Sequence, residues 1–183
     1  APLRLRALAA MPAARRPLSD PVMNFLVAHL HIDHPVVVRA LAVDILLDSP
    51  LNVGHWIDVA DVLPTIGPME LTRLMEGFGK QRDQALGSTL VENLGRSPAL
   101  TSLRAEQLEK YLSGFGTELV ASAAPLFETI ARENEEKNAK LETVLKLVPE
   151  ADIRRGLAVF RDTRAACITC HQMAYLGGQI GPD

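Results

Sequence analysis

Near its C-terminal end the chain carries Cys167-Ile168-Thr169-Cys170-His171, two soft sulfur nucleophiles and an imidazole within five residues. Cys-x-x-Cys-His is the spacing of c-type haem attachment. Two thiols can add to two vinyl groups on one edge of a porphyrin, and the two-residue gap spans the distance between those vinyls. The histidine that follows directly brings its imidazole under the iron as proximal ligand. The expectation is therefore that Cys167 and Cys170 are thioether anchors, that His171 is the metal ligand, and that the cofactor is covalently held haem c. The same cysteines could also form a thiol–disulfide pair or half of a zinc site. A thioredoxin-like pair follows a strand and opens a helix, and no strand pattern precedes Cys167. A zinc site takes four ligands, usually from a second pair, and His29, His31, His34 and His55 lie far away in sequence.

The elements that must position these residues are helical by composition. The chain has 183 residues, 48% of them hydrophobic and only 4% aromatic. Abundant Leu, Ala and Val with few aromatics favour helices over a β-sandwich. That apolar content excludes a disordered chain, and the net charge of −3 argues against nucleic acid as a partner. No uncharged apolar run approaches the roughly 20 residues of a transmembrane segment. The two cysteines are too few for a disulfide framework. The first residues lack the continuous apolar core of a secretory signal. The loop-like Gly177-Gly178-Gln179-Ile180-Gly181-Pro182-Asp183 is not a natural finish. The chain is expected to be a fragment of a longer protein.

The chain also repeats itself. Pro2-Leu3-Arg4-Leu5-Arg6-Ala7-Leu8-Ala9 aligns with Pro35-Val36-Val37-Val38-Arg39-Ala40-Leu41-Ala42, and fainter copies begin at Pro68 and Ser97-Pro98. Such a period is typical of two-helix units that stack because none buries its apolar face alone. Asp20-Pro21, His34-Pro35, Gly67-Pro68 and Ser97-Pro98 each put a proline at an expected first helical position. Val38, Leu41, Ala42, Ile45 and Leu46 follow helical spacing, with Arg39 and Asp44 outside the stripe. Helices are predicted over residues 21–31, 35–47, 53–63, 68–78, 82–94, 102–113, 117–134 and 138–147. A further short helix over 152–160 leads into the cysteine motif. The charged run Arg132-Glu133-Asn134-Glu135-Glu136-Lys137-Asn138 reads as a solvated face or turn. The domain boundary is expected at Val148-Pro149-Glu150.

Over about residues 1–115 the pattern resembles HEAT-type repeats with a Pro-x-x-x-Arg-Ala core. Over 151–183 it resembles class I cytochromes c, through Gly156 and Phe160 on the entering helix, the Cys-x-x-Cys-His motif and Gly181-Pro182. The combination is similar to the haem-binding proteins of the Planctomycetes–Verrucomicrobia type. The fold this implies is all-α: a HEAT-like α-solenoid over 1–148, then the N-terminal part of a class I cytochrome c domain over 151–183. Gly156 and Phe160 would pack on a C-terminal helix. The Pro182 carbonyl would accept the His171 Nδ1–H and orient the ring. The resemblance implies one-electron transfer to or from a redox partner or an upstream dehydrogenase domain. It also implies export, since this attachment needs reduced thiols in the periplasm. The chain shows no propeller pattern, so this segment reads as an electron carrier rather than a catalyst. The family's distal methionine is expected to lie outside this chain: Met173 is too near His171, and Met11, Met23, Met69 and Met75 read as core fillers. The alternative is a helical-repeat interaction scaffold whose haem segment is incomplete.

Three further features have mainly structural readings. His29-Leu30-His31-Ile32-Asp33-His34 looks like a metal cluster, but His29 and His31 point apart on a helix and His34 precedes a proline. It reads as a polar interhelix turn. Trp56 reads as packing. Tyr175, Leu176 and Ile180 are candidates for lining the apolar edge of a haem.

Overall fold

A computed structural model of the chain describes residues 2–13 and 18–178. Among these residues there are eleven α-helices, several single-turn 3-10 helices and one two-stranded hairpin, so the class is all-α. Pro182, Gly181 and Ile180 lie outside the described residues. The chain divides into two compact units, Ala1–Glu135 and Glu136–Asp183.

The first unit holds α1 (Pro2–Ala10), α2 (Asp20–Ala28), α3 (Val36–Leu47), α4 (Val53–Asp61), α5 (Pro68–Phe78), α6 (Gln84–Arg96), α7 (Ala105–Leu112), α8 (Thr117–Ser122) and the start of α9 (Ala124–Leu147). The odd helices α1, α3, α5 and α7 contact one another in succession, and so do the even helices α2, α4, α6 and α8. Side-chain bonds tie successive copies together at separations of 29 to 34 residues. Ser97 Oγ donates to the Leu63 carbonyl at 2.9 Å, Asn93 donates to Asp61 at 3.2 Å, and Arg73 pairs with Asp44.

Helix starts follow elementary capping chemistry. Pro21 and Pro68 occupy the first turns of α2 and α5, where a missing N–H costs nothing. Asn52 and His55 form a reciprocal capping box on α4, and the Asp83 carboxylate accepts the Leu86 N–H on α6. α5 buries Leu71, Leu74, Met75 and Phe78, a stripe at helical spacing. Each such side chain contributes roughly 1.5–3 kcal/mol on full burial. Every fully apolar buried residue of the described chain lies between Leu5 and Ile130.

Several expectations are corrected. Arg39 lies outside the apolar stripe of α3 but is buried, because the Glu70 carboxylate of α5 receives its guanidinium at 2.7 Å. Gly67 makes room for the pair: a Cβ there would fall 2.5 Å from Arg39 Nη1 and 2.7 Å from Glu70 Oε2. Ser97-Pro98 opens a turn and the 3-10 helix Leu100–Ser102, and α7 starts only after Arg104. The predicted break at 134–138 is absent, and α9 runs through it. Glu and Lys are good helix formers, and the charged run remains on a solvated face of the helix. The break falls instead at Ala123, because Pro125 has no N–H to continue the ladder of α8. Met23 and Met75 are buried as expected of core fillers, but Met69 is exposed. Trp56 is buried with its ring 4.8 Å from that of Phe78.

The second unit contains the rest of α9, the 3-10 helix Val148–Glu150, α10 (Ile153–Arg161), the one-turn α11 (Cys167–Cys170), and the strands β1 (Gln172–Met173) and β2 (Leu176–Gly177). No described residue from 136 to 178 is buried.

Candidate functional site

The site is assembled by α10, α11 and the β1–β2 hairpin, in which α10 contacts α11 and α11 contacts β2. α10 is capped by Asp152, whose Oδ1 accepts the N–H groups of Arg154 at 2.9 Å and Arg155 at 3.1 Å. Ile153 and Val159 are exposed, and Leu157 and Phe160 are half-buried. Where close helix packing is expected, a Cβ placed on Gly156 would meet nothing within 4 Å.

A tight turn then re-aims the chain. Asp162 accepts the Arg164 N–H at 2.8 Å and its guanidinium at 2.8–3.3 Å, and the Ala166 N–H donates to the Asp162 carbonyl at 2.9 Å. The Arg164 guanidinium first, and its backbone N–H second, hold the Asp162 carboxyl below the usual 3.8. Ala166, in the left-handed region at φ 54°, caps α11.

α11 places Cys167 and Cys170 three residues apart, hence on one side of a helical turn. Both thiols are free; Cys167 is half-buried and Cys170 exposed. Cys167 Sγ is 3.7 Å from the Ala165 carbonyl. The His171 N–H closes the turn onto the Cys167 carbonyl at 2.9 Å, and His171 itself is extended (φ −105°, ψ 140°) and exposed. The structure thus brings Cys167, Cys170 and His171 together on one turn.

The hairpin follows directly. Gln172 pairs with Gly177 and Met173 with Leu176. Ala174 is left-handed at φ 54°, and Gln172 Nε2 donates to the Ala174 carbonyl at 2.6 Å. The Gly178 N–H donates to the Ile168 carbonyl at 2.9 Å, which ties the hairpin to the cysteine turn. Tyr175 is fully out in solvent and Leu176 is half-buried. The hairpin carries neither Asn-Gly nor Asp-Gly, the usual sequence signals for a two-residue turn.

The histidines near residue 30 are used locally. The His29 and His34 rings stack at 4.8 Å, and His29 Nδ1 lies 2.6 Å from the Phe25 carbonyl. Among the described residues no group of three or more His, Cys, Asp or Glu is placed to hold an ion. No helix among them is long and apolar enough to cross a membrane. No family model, no curated protein and no solved structure matches the chain.

Proposed function

We propose that the chain is an electron-transfer module, a HEAT-like α-solenoid joined to the haem-binding part of a class I cytochrome c domain. One observation carries this reading: two free thiols on a single helical turn, followed at once by an exposed imidazole. The donor set fits haem c. Cys167 and Cys170 would anchor it as thioethers, and His171 would ligate the iron from one side. Haem, when bound, supplies a one-electron iron couple in an apolar macrocycle. The chain's own residues do the rest. α11 sets the spacing of the thiols, and the Asp162–Arg164 turn aims that helix. α10 offers Ile153, Leu157, Val159 and Phe160 as apolar surface in the same unit. Pro182 is proposed to orient His171 through its carbonyl. The successive contacts of odd with odd and even with even helices, bridged at about one repeat length, support the HEAT-like part. Attachment of this kind places the protein in the periplasm, serving a redox partner or an upstream dehydrogenase domain.

The test is peroxidase staining of the chain after denaturing electrophoresis, following expression with the periplasmic haem-attachment machinery. A stained band and one haem per chain are expected, and replacing both Cys167 and Cys170 by Ala abolishes the stain. An unstained chain with intact Cys167, Cys170 and His171 overturns the reading.

A second reading, a helical-repeat interaction scaffold, is favoured by exposed Leu3, Val37 and Met69 on three helices that contact in succession. It predicts a folded, colourless protein.

A further inference from the structure

We propose that residues 172–178 form a clamp that fixes the orientation of His171, with Gly177 and Gly178 as its positioning residues; this rests on His171 being a haem ligand. α11 is a single turn, too short to hold itself, and a lone two-stranded hairpin is marginal in water. Each therefore needs the other, and the glycines are where they meet. Gly177 stands at φ +114°, and a Cβ there would overlap the carbonyl group of His171 itself. A Cβ on Gly178 would overlap the carbonyl of Thr169, and the Gly178 N–H is the donor to Ile168. Two consecutive glycines thus pack against the Thr169–Cys170 peptide group and the carbonyl of the histidine itself. At the other end of the hairpin, Ala174 is held left-handed at φ 54°, a conformation disfavoured for an L-residue. A turn needed only to reverse the chain would be expected to put glycine at that tip. Here glycine is kept instead for the two positions that touch the motif's backbone.

The consequence is a division of labour. Cys167 and Cys170 precede the clamp and hold the macrocycle covalently. The clamp fixes the backbone from which the imidazole projects, so it governs ligation rather than attachment.

The test uses the full chain carrying haem, as Gly177→Ala and Gly178→Ala, in the ferric state with excess imidazole to fill the opposite axial position. Electron paramagnetic resonance then reports the His171 side. Both variants are expected to keep the covalent stain. Their single low-spin signal is expected to shift and split into several species or give way to high-spin iron. A wild-type signal in both variants overturns the proposal. Should the variants yield no stained chain, amide exchange at Gly178 in the stained wild type decides. Protection relative to the random-coil rate supports the clamp, and exchange at that rate refutes it. An unstained wild type means that the haem reading itself has failed and takes the clamp with it. That outcome is distinct from a stained wild type with unaffected variants.

Discussion

Removing the Glu70 carboxylate should be among the most damaging single changes in the first unit. The side chains of Arg39 and Glu70 are only 10% and 2% exposed, and they meet at 2.7 Å between α3 and α5. Arg39 Nε is buried with no hydrogen-bond partner, so the guanidinium depends on Glu70 for its compensation. Glu70→Ala leaves a buried cation unpaired, which costs about 3–5 kcal/mol. For a chain of this size that corresponds to a fall in Tm of about 6–20 °C. The double variant Arg39→Met/Glu70→Leu removes both charges and keeps similar volume, so it should lie within about 1 kcal/mol of wild type or above it. Gly67→Ala pushes a methyl group against both charged ends and should cost about 1–3 kcal/mol. Much of that loss should disappear in the double-variant background, because the sites share atoms. Urea unfolding followed by circular dichroism measures the wild type and all four variants. A loss below about 1 kcal/mol for Glu70→Ala, or a double variant as unstable as that single one, would mean that Glu70 does not compensate a buried Arg39 charge.

Gly77→Ala should destabilise the same unit by about 1–3 kcal/mol, because the new methyl group would collide with the Trp56 ring and approach Leu47 at 2.9 Å. Trp56 is the sole tryptophan, so its emission should shift in the folded variant. The Asp162 carboxyl should titrate below 3.8 by NMR. Because its pKa is depressed on folding, the turn's contribution is present above the unfolded value and is lost as pH falls through the lowered one. Asp162→Asn should remove this acid dependence, and a midpoint at or above 3.8 would count against the turn. Loss of the haem stain in the double cysteine variant and the altered iron signal of the two glycine variants complete the set.

Much of the helical framework was legible in the sequence because proline, glycine and apolar spacing agree locally. The predicted helix over 68–78 coincides with α5, and that over 35–47 begins one residue early. What was hidden depends on contacts between distant residues. Arg39 looks like a surface residue until Glu70, 31 positions away, is beside it. The charged run at 132–138 looks like a stop because a composition reading cannot see that the helix continues through it. The chain instead breaks where Pro125 removes a donor. At the candidate site, Cys167, Cys170 and His171 were legible from type and spacing alone. The hairpin was not, because its tip residues Ala174 and Tyr175 carry no turn signal and its strands are two residues each.

The bonds that tie successive helical pairs span only 29 to 34 residues, which gives the first unit a low contact order. Such a topology closes short loops and can nucleate at one end and grow by neighbour addition. A chain emerging N-terminus first would complete α1 to α3 while later pairs are still unmade. Each new pair would then find its template already in place. Folding of this unit is therefore expected to proceed vectorially, in step with the chain's appearance, and to be finished before Cys167 and Cys170 emerge.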